Sequence, residues 1–227
     1  MNQSPLADSF ALEHERLALY MLRSGSAIQP ATVASQYEVI SVPTARWDEA
    51  RSVVELDGAL VDRAWDDLVA RVLPGGLFVL LERRSSHWIG TASALHNPTG
   101  SRFYFPAGGQ LAYLVVHESH RGHGLGYALV TAVVERLGAA GYSHLWLGVQ
   151  GWRLPAIRTY LRAGYRPFLH APNSDALLAR WTHIFAELRL QAEAATWPRA
   201  LPHLDDGAAY RIKDSCRAKP RQNPGLD

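Results

Sequence analysis

Between residues 36 and 193 the apolar positions switch repeatedly between a period of two and a period near 3.6, so strands and helices alternate. Tyr37–Val42 reads as a short strand stopped by Pro43. Helical segments follow near Arg46–Leu56 and Asp57–Leu73; Trp65, Leu68, Val69 and Val72 mark the apolar face of the second, and Pro74-Gly75-Gly76 ends it. Leu77–Glu82 and His87–Leu95 make a hairpin across the polar turn Arg83-Arg84-Ser85-Ser86. A loop rich in Pro and Gly, Asn97–Gly109, leads to Gln110–Val116, which is apolar on both alternating sets, as a strand covered on both faces would be. Leu125, Leu129, Ala132, Val133, Leu137 and Ala140 then mark a helix ending at Gly141. A strand at Leu145–Val149 and a helix through Pro155, Ile157, Tyr160 and Leu161 follow, the helix stopped by Gly164. A strand at Tyr165–His170 precedes a closing amphipathic helix through Leu177, Leu178, Trp181, Ile184, Phe185 and Leu188, with Asn173 or Ser174 as its cap. The order predicts one mixed α/β domain.

The two ends differ from this zone. Residues 1–35 read as a leader or docking helix, with Phe10, Leu17, Tyr20 and Met21 on one face of Ser9–Arg23 and a small polar linker, Ser24-Gly25-Ser26, after it. Residues 194–227 have little apolar periodicity and read as a flexible tail. Of seven tryptophans, Trp65 and Trp181 fall on apolar helix faces and read as core, Trp146 covers the second face of its strand, and Trp152 is a pocket wall or a loop anchor.

Composition narrows the function classes. Hydrophobic residues make up 48% and charged residues 19%, an ordinary globular balance. Apolar runs such as Leu77–Leu81 are far shorter than the roughly 20 residues that cross a bilayer, and the first residues lack the basic start and apolar stretch of a secretory signal. One cysteine, Cys216, can form neither an internal disulfide nor a thiolate metal cage, which favours a reducing cytoplasm. A net charge of +2 carries no argument for nucleic acid.

The chemistry concentrates in Val115-Val116-His117-Glu118-Ser119-His120-Arg121-Gly122-His123-Gly124-Leu125-Gly126-Tyr127-Ala128. A buried strand runs into a glycine-rich turn that opens a helix, so free N–H groups of the first helical turn can converge on a phosphate or pyrophosphate. A Walker loop is excluded because Gly126 is followed by Tyr127 and Ala128 instead of Lys and Ser or Thr. A dinucleotide fingerprint fails in both registers, since the third glycine position is Tyr127 or Leu129. His117-Glu118-Ser119-His120 is one residue too short for the helical zinc pair, and two glycines would break any helix aligning His117, His120 and His123, so no metal is expected. No Gly-x-Ser-x-Gly elbow supports serine hydrolysis.

Arg121, Gly124 and Gly126 match the Arg/Gln-x-x-Gly-x-Gly/Ala hallmark of the Gcn5-related N-acetyltransferase (GNAT) superfamily, which the chain resembles. A second hallmark, Asn-x-x-Ala-x-x-x-Tyr-x-x-x-Gly-Phe, is approximated by Arg153 to Tyr165, with Ala156, Tyr160 and Gly164 in register. The resemblance extends over roughly residues 36–190 and implies a central, mostly antiparallel sheet flanked by helices. It also implies acetyl-CoA as co-substrate, its pyrophosphate on the N–H groups of Gly122, His123, Gly124, Leu125, Gly126 and Tyr127, with Arg121 nearby. The pantetheine arm would run beside Leu114, Val115 and Val116, a backbone N–H near Val116 would face the developing oxyanion, and Ala156 and Tyr160 would complete the cofactor site. An acceptor amine would attack the thioester, with Tyr160 as the acid for the leaving thiolate and Glu118 as the base, His117, His120 or water being the alternatives. Arg153 departs from the usual asparagine, Glu118 stands where a proline is common, and Tyr165 replaces a phenylalanine. The expected activity is N-acetylation of a small-molecule or peptide amine, without nucleic acid or membrane as partner; a homodimer is common among proteins of this kind. A non-catalytic acyl-CoA sensor and an interaction scaffold are the rival readings.

Overall fold

Alternating apolar residues pair into strands, the central ones covered by helices, and burial decides several boundaries that periodicity left ambiguous. A computed structural model describes residues 19–55, 62–96, 108–170, 173–191 and 197. Residues 1–18, 56–61, the loop at 97–107 and nearly all of 194–227 lie outside them, and the readings made for those stretches with them. The described residues fall into two compact units, one of residues 25–145 and one of residues 19–24 with 146–191 and 197. No helix among the described residues is long and apolar enough to cross a membrane.

In the first unit, β2 (Tyr37–Ser41), β3 (Val72–Glu82), β4 (His87–Leu95) and β5 (Gly108–Val116) lie side by side in that order, antiparallel throughout. Leu77 and Val79 of β3 join Trp47, Ala50 and Val54 of α1 (Trp47–Val54) and Trp65 and Leu68 of α2 (Asp62–Arg71) in one apolar cluster. Phe78 and Leu80, of opposite parity, are buried too and fall to the face that α3 (Leu125–Ala139) covers across β3, β4 and β5. This double cover explains the continuous apolar character of the strands.

The second expected helix stops two residues early. Val72 and Leu73 belong to β3, both fully buried, and Val72 sits opposite Leu95. Pro74, Gly75 and Gly76 form an irregularity within the strand instead of a helix end, since the register jumps between Val72 and Leu77 and Gly75 has φ 68°. Burial at 72–73 outweighs the helical spacing that Val72 shares with Leu68 and Val69.

The second unit contains β6 (His144–Val149, from Trp146 on), β1 (Leu19–Ser24) and β7 (Arg166–Phe168), with α4 (Leu154–Arg162) and α5 (Ser174–Glu187). Residues 19–23, expected at the end of a leader helix, are therefore strand: Tyr20, Met21 and Leu22 pair antiparallel with Phe168, Pro167 and Arg166. A short apolar run fits either element, and here the pairing partner decides. Tyr165–His170 shrinks to a three-residue strand. Asn173 occupies the N-cap of α5 without a capping hydrogen bond from its side chain. Trp65 and Trp181 are core, as expected. Trp146 is buried edge-on to Tyr20. Trp197, in the stretch expected to be loose, is buried against Phe185 and Trp181 of α5, ring centroids 5.1 and 6.5 Å away.

The end of α4 explains its sequence. Gly164 has φ 87°, its N–H donates to the Leu161 carbonyl at 3.0 Å, and the Tyr165 N–H donates to the Tyr160 carbonyl at 3.0 Å. This is a Schellman cap, and the Tyr160 and Tyr165 rings, 6.1 Å apart, supply its apolar contact. Buried Arg23 of β1 adds a third bond, Nε to the Ala163 carbonyl at 2.8 Å. Gly164→Ala should cost about 1–2 kcal/mol from the left-handed backbone alone, read as a lowered Tm. The fully buried Tyr165 hydroxyl has no hydrogen-bond partner among the described residues, and burial pushes its phenol well above the ordinary value. Its folded-state pKa being raised, the neutral form's contribution to stability is complete below about pH 10, the unfolded value, and is lost as pH rises further. Tyr165→Phe should therefore be neutral or stabilising at pH 7, by up to about 1 kcal/mol, and should flatten the alkaline fall of Tm; a loss of stability at pH 7 would mean the hydroxyl is bonded.

Candidate functional site

The site begins with an irregularity in β5. Thr91 pairs with Val115 and Ser93 with Ala112, so β5 carries one residue more than β4 between these pairs. The extra residue falls at Tyr113–Leu114, and Tyr113 takes φ 54°, a left-handed conformation that a tyrosine seldom adopts. Smooth apolar patterning over Gln110–Val116 conceals this bulge. The Tyr113 ring packs on the α1–α2 cluster, and its hydroxyl donates to Asp67 Oδ2 at 3.2 Å. Burial first, then the Asp67 charge, pushes the Tyr113 phenol up to about 12. Asp67 is held in turn by the Arg71 guanidinium, with Nε donating to Oδ1 at 2.8 Å and Nη2 to Oδ2.

Beyond Val116 the chain turns sharply. The His117 N–H donates to the Ile89 carbonyl at 2.7 Å, a 3-10 turn spans Glu118–His120, and Arg121 Nε reaches back to the Val116 carbonyl at 2.9 Å. Gly122 and Gly124 follow with φ 83° and 75°, and a Cβ added to either would meet no atom within 4 Å. The outer side of the bend is open, and its backbone is one that glycine adopts without steric cost.

α3 starts at Leu125, with the Gly124 carbonyl accepting from the N–H groups of Tyr127 and Ala128 at 3.0 and 3.2 Å. The amides of Gly122, His123, Gly124, Leu125 and Gly126 donate to no acceptor among the described residues. No acidic side chain occupies the first turn to offset the positive end of the helix dipole. Five orphan donors at an open bend can together serve as an anion cradle. The expected cradle loses one member, because the Tyr127 amide is spent inside the first helical turn. The Tyr127 side chain serves elsewhere, its hydroxyl donating to the Gln29 carbonyl at 3.1 Å.

The three histidines each have Nδ1 engaged. His117 meets Ser119 Oγ at 2.7 Å, His120 meets the Tyr37 hydroxyl at 3.1 Å, and His123 donates to the Arg121 carbonyl at 2.9 Å. No group of three metal-ligating side chains comes together among the described residues. Glu118 is exposed on the 3-10 turn, its carbonyl accepting the Arg121 N–H at 3.2 Å. In the second unit, Tyr160 is buried and Ala156 half-buried on α4. Trp152 is 71% exposed, with the Arg153 guanidinium 4.5 Å from its ring.

In an antiparallel α/β unit, a strand that delivers a two-glycine bend to a helix N-terminus has the arrangement with which main-chain amides can hold a phosphorylated ligand. The acetyltransferase (GNAT) family model matches residues 41–165, more than half of the chain, and the chain belongs to that family. Similar solved structures include an acetyltransferase from the GNAT family from Colwellia psychrerythraea, with a TM-score of 0.51 and 12% identity, the match covering 72% of this chain and 58% of that one. A GCN5-related N-acetyltransferase from Kribbella flavida gives 0.47 and 16%, covering 72% and 60%, and one from Sphaerobacter thermophilus 0.45 and 19%, covering 72% and 53%. At such identities the likeness is one of fold, and the chain spans between about half and three fifths of the length of these structures. No curated protein matches the sequence. If the bend holds a pyrophosphate, Gly124→Ala should weaken binding of adenosine diphosphate about tenfold by straining the left-handed backbone; calorimetry giving an unchanged Kd would remove the bend as the anion site.

Proposed function

We propose that the chain transfers an acetyl group from acetyl-CoA to a primary amine of a small molecule or peptide. The observation that carries this reading is the run of orphan amides from Gly122 to Gly126 at an open bend, in a chain of the acetyltransferase (GNAT) family. A pyrophosphate fits there, since the two left-handed glycines leave space where side chains would otherwise stand. Arg121 is exposed and commits Nε to the Val116 carbonyl, so its terminal nitrogens can meet phosphate oxygens while the same residue closes the turn.

When bound, the donor supplies a thioester carbonyl activated toward amines. Leu114, Val115 and Val116 are the residues assigned to its arm, and Ala156 and Tyr160 those assigned to it on α4. The amine nitrogen bonds to the acyl carbon as the carbon–sulfur bond breaks. The proton lost by the amine goes to Glu118 or to water; exposure on the 3-10 turn suits Glu118 to exchanging protons with solvent. Tyr160 returns a proton to the thiolate. Direct attack of this kind requires no metal, and the single cysteine suits a reducing cytoplasm.

The reading is tested by mass-spectrometric screening of an amine library with acetyl-CoA. Acetylated product with equimolar free CoA is expected; binding of CoA without thiol release for any amine would make the protein a sensor. Tyr160→Phe should lower kcat at least tenfold and leave the Kd for CoA within about twofold, and an unchanged kcat would reduce Tyr160 to its role in the helix cap.

A further inference from the structure

Asp67, Arg71, Gln110 and Tyr113 tie α2 to the bulge of β5, and nothing in the acyl-transfer reading uses them. Besides gripping Asp67, Arg71 donates through Nη1 to the His96 carbonyl at 3.0 Å and to Gln110 Oε1 at 2.8 Å. The carboxylate that receives the Tyr113 hydroxyl is thus fixed by a guanidinium that is itself fastened to the ends of β4 and β5. A non-glycine residue in the left-handed region persists where its surroundings over-determine it. For Tyr113 they do so twice, through the ring on the apolar cluster and through the hydroxyl on Asp67.

The placement of this restraint matters more than its strength. Tyr113 directly precedes Leu114–Val116, and a bulge residue sets the direction of the peptide groups that follow it. Val116 in turn offers its carbonyl to Arg121, which leads into the bend. We propose that Tyr113, tethered to Asp67, is a positioning residue for the acyl arm of the donor, fixing the peptide groups of 114–116 against which that arm lies. The inference rests on the acyl-CoA reading above. It separates two parts of donor binding: the cradle at 122–126 grips the diphosphate, and the tethered bulge aims the strand along the arm.

Calorimetry with two probes distinguishes these parts. Adenosine diphosphate reports the cradle alone, and CoA reports cradle and arm together. Tyr113→Phe, which keeps the ring and deletes the tether, should weaken CoA binding roughly fivefold, a part of the more than about tenfold that a hydrogen bond to a charged acceptor is worth, with the affinity for adenosine diphosphate unchanged within twofold. Asp67→Asn should act in the same direction, and the double variant should lose little more than the larger single loss, because both remove one tether. Tyr113→Phe alone decides the matter should Asp67→Asn fail to fold. A tether serving only stability would lower Tm and leave the ratio of the two affinities where it was, which would overturn the proposal. Wild-type protein binding CoA no more tightly than adenosine diphosphate would also overturn it while leaving the cradle standing. Wild-type protein binding neither would remove the acyl-CoA reading itself.

Discussion

Five main-chain N–H groups without acceptors among the described residues, at Gly122 through Gly126, are the constraint around which this end of the molecule is built. A helix cannot satisfy its own leading amides, and a buried orphan donor costs on the order of 1–3 kcal/mol, so such groups are tolerated where solvent or a ligand reaches them. The bend meets that condition through two left-handed glycines with open space beside them. The elements on either side of it are tied down. The strand leading in is laddered to β4, the turn is stapled by Arg121 to the end of that strand, and α3 leading out is buried across β3, β4 and β5. A diphosphate bound as proposed would meet donors already oriented, so that binding need not order them first.

The second motif shows how one pattern can serve two ends. Tyr160 and Gly164 match the family hallmark, Tyr165 stands in place of its phenylalanine, and the three residues build the Schellman cap of α4: glycine for the left-handed turn, two tyrosines for the apolar contact across it. The cap requires an aromatic or aliphatic body at the tyrosine position but no hydroxyl. Tyr160 therefore has a structural reason to be large and apolar, and the phenolic oxygen is what the proposed chemistry adds. Tyr165 gives the converse case. Its ring is needed by the cap, while its hydroxyl is buried without a partner among the described residues at a position where phenylalanine would do the same work.

The bulge at Tyr113 joins the two faces of the first unit's chemistry. Arg71 and Asp67 stand at the end of α2, whose apolar face belongs to the core, and their polar ends are spent on the strand that carries the bend. A helix chosen for packing thereby also fixes the backbone of β5. Such coupling makes the effect of a substitution in α2 on ligand binding a matter of backbone direction, with no contact to the ligand required.

The sequence by itself determined the helices and strands whose period is long or whose ends carry their own signals. β4, α3 and α4 fall where alternation, apolar stripes and terminal glycines put them, and the bend at Arg121–Gly126 was legible because arginine and two glycines stand at the family's spacing between a strand and a helix. Tertiary structure decided the rest. Residues 19–24 became a strand because β7 supplies an antiparallel partner, and Val72–Leu73 left the helix because the core takes both side chains. The Tyr113 bulge and its tether to Asp67 left no trace in the pattern, since a one-residue surplus exists only relative to the strand alongside. Local sequence encodes periods and caps; register, bulges and long-range hydrogen bonds are properties of pairs of segments, and they appear only when both are in place.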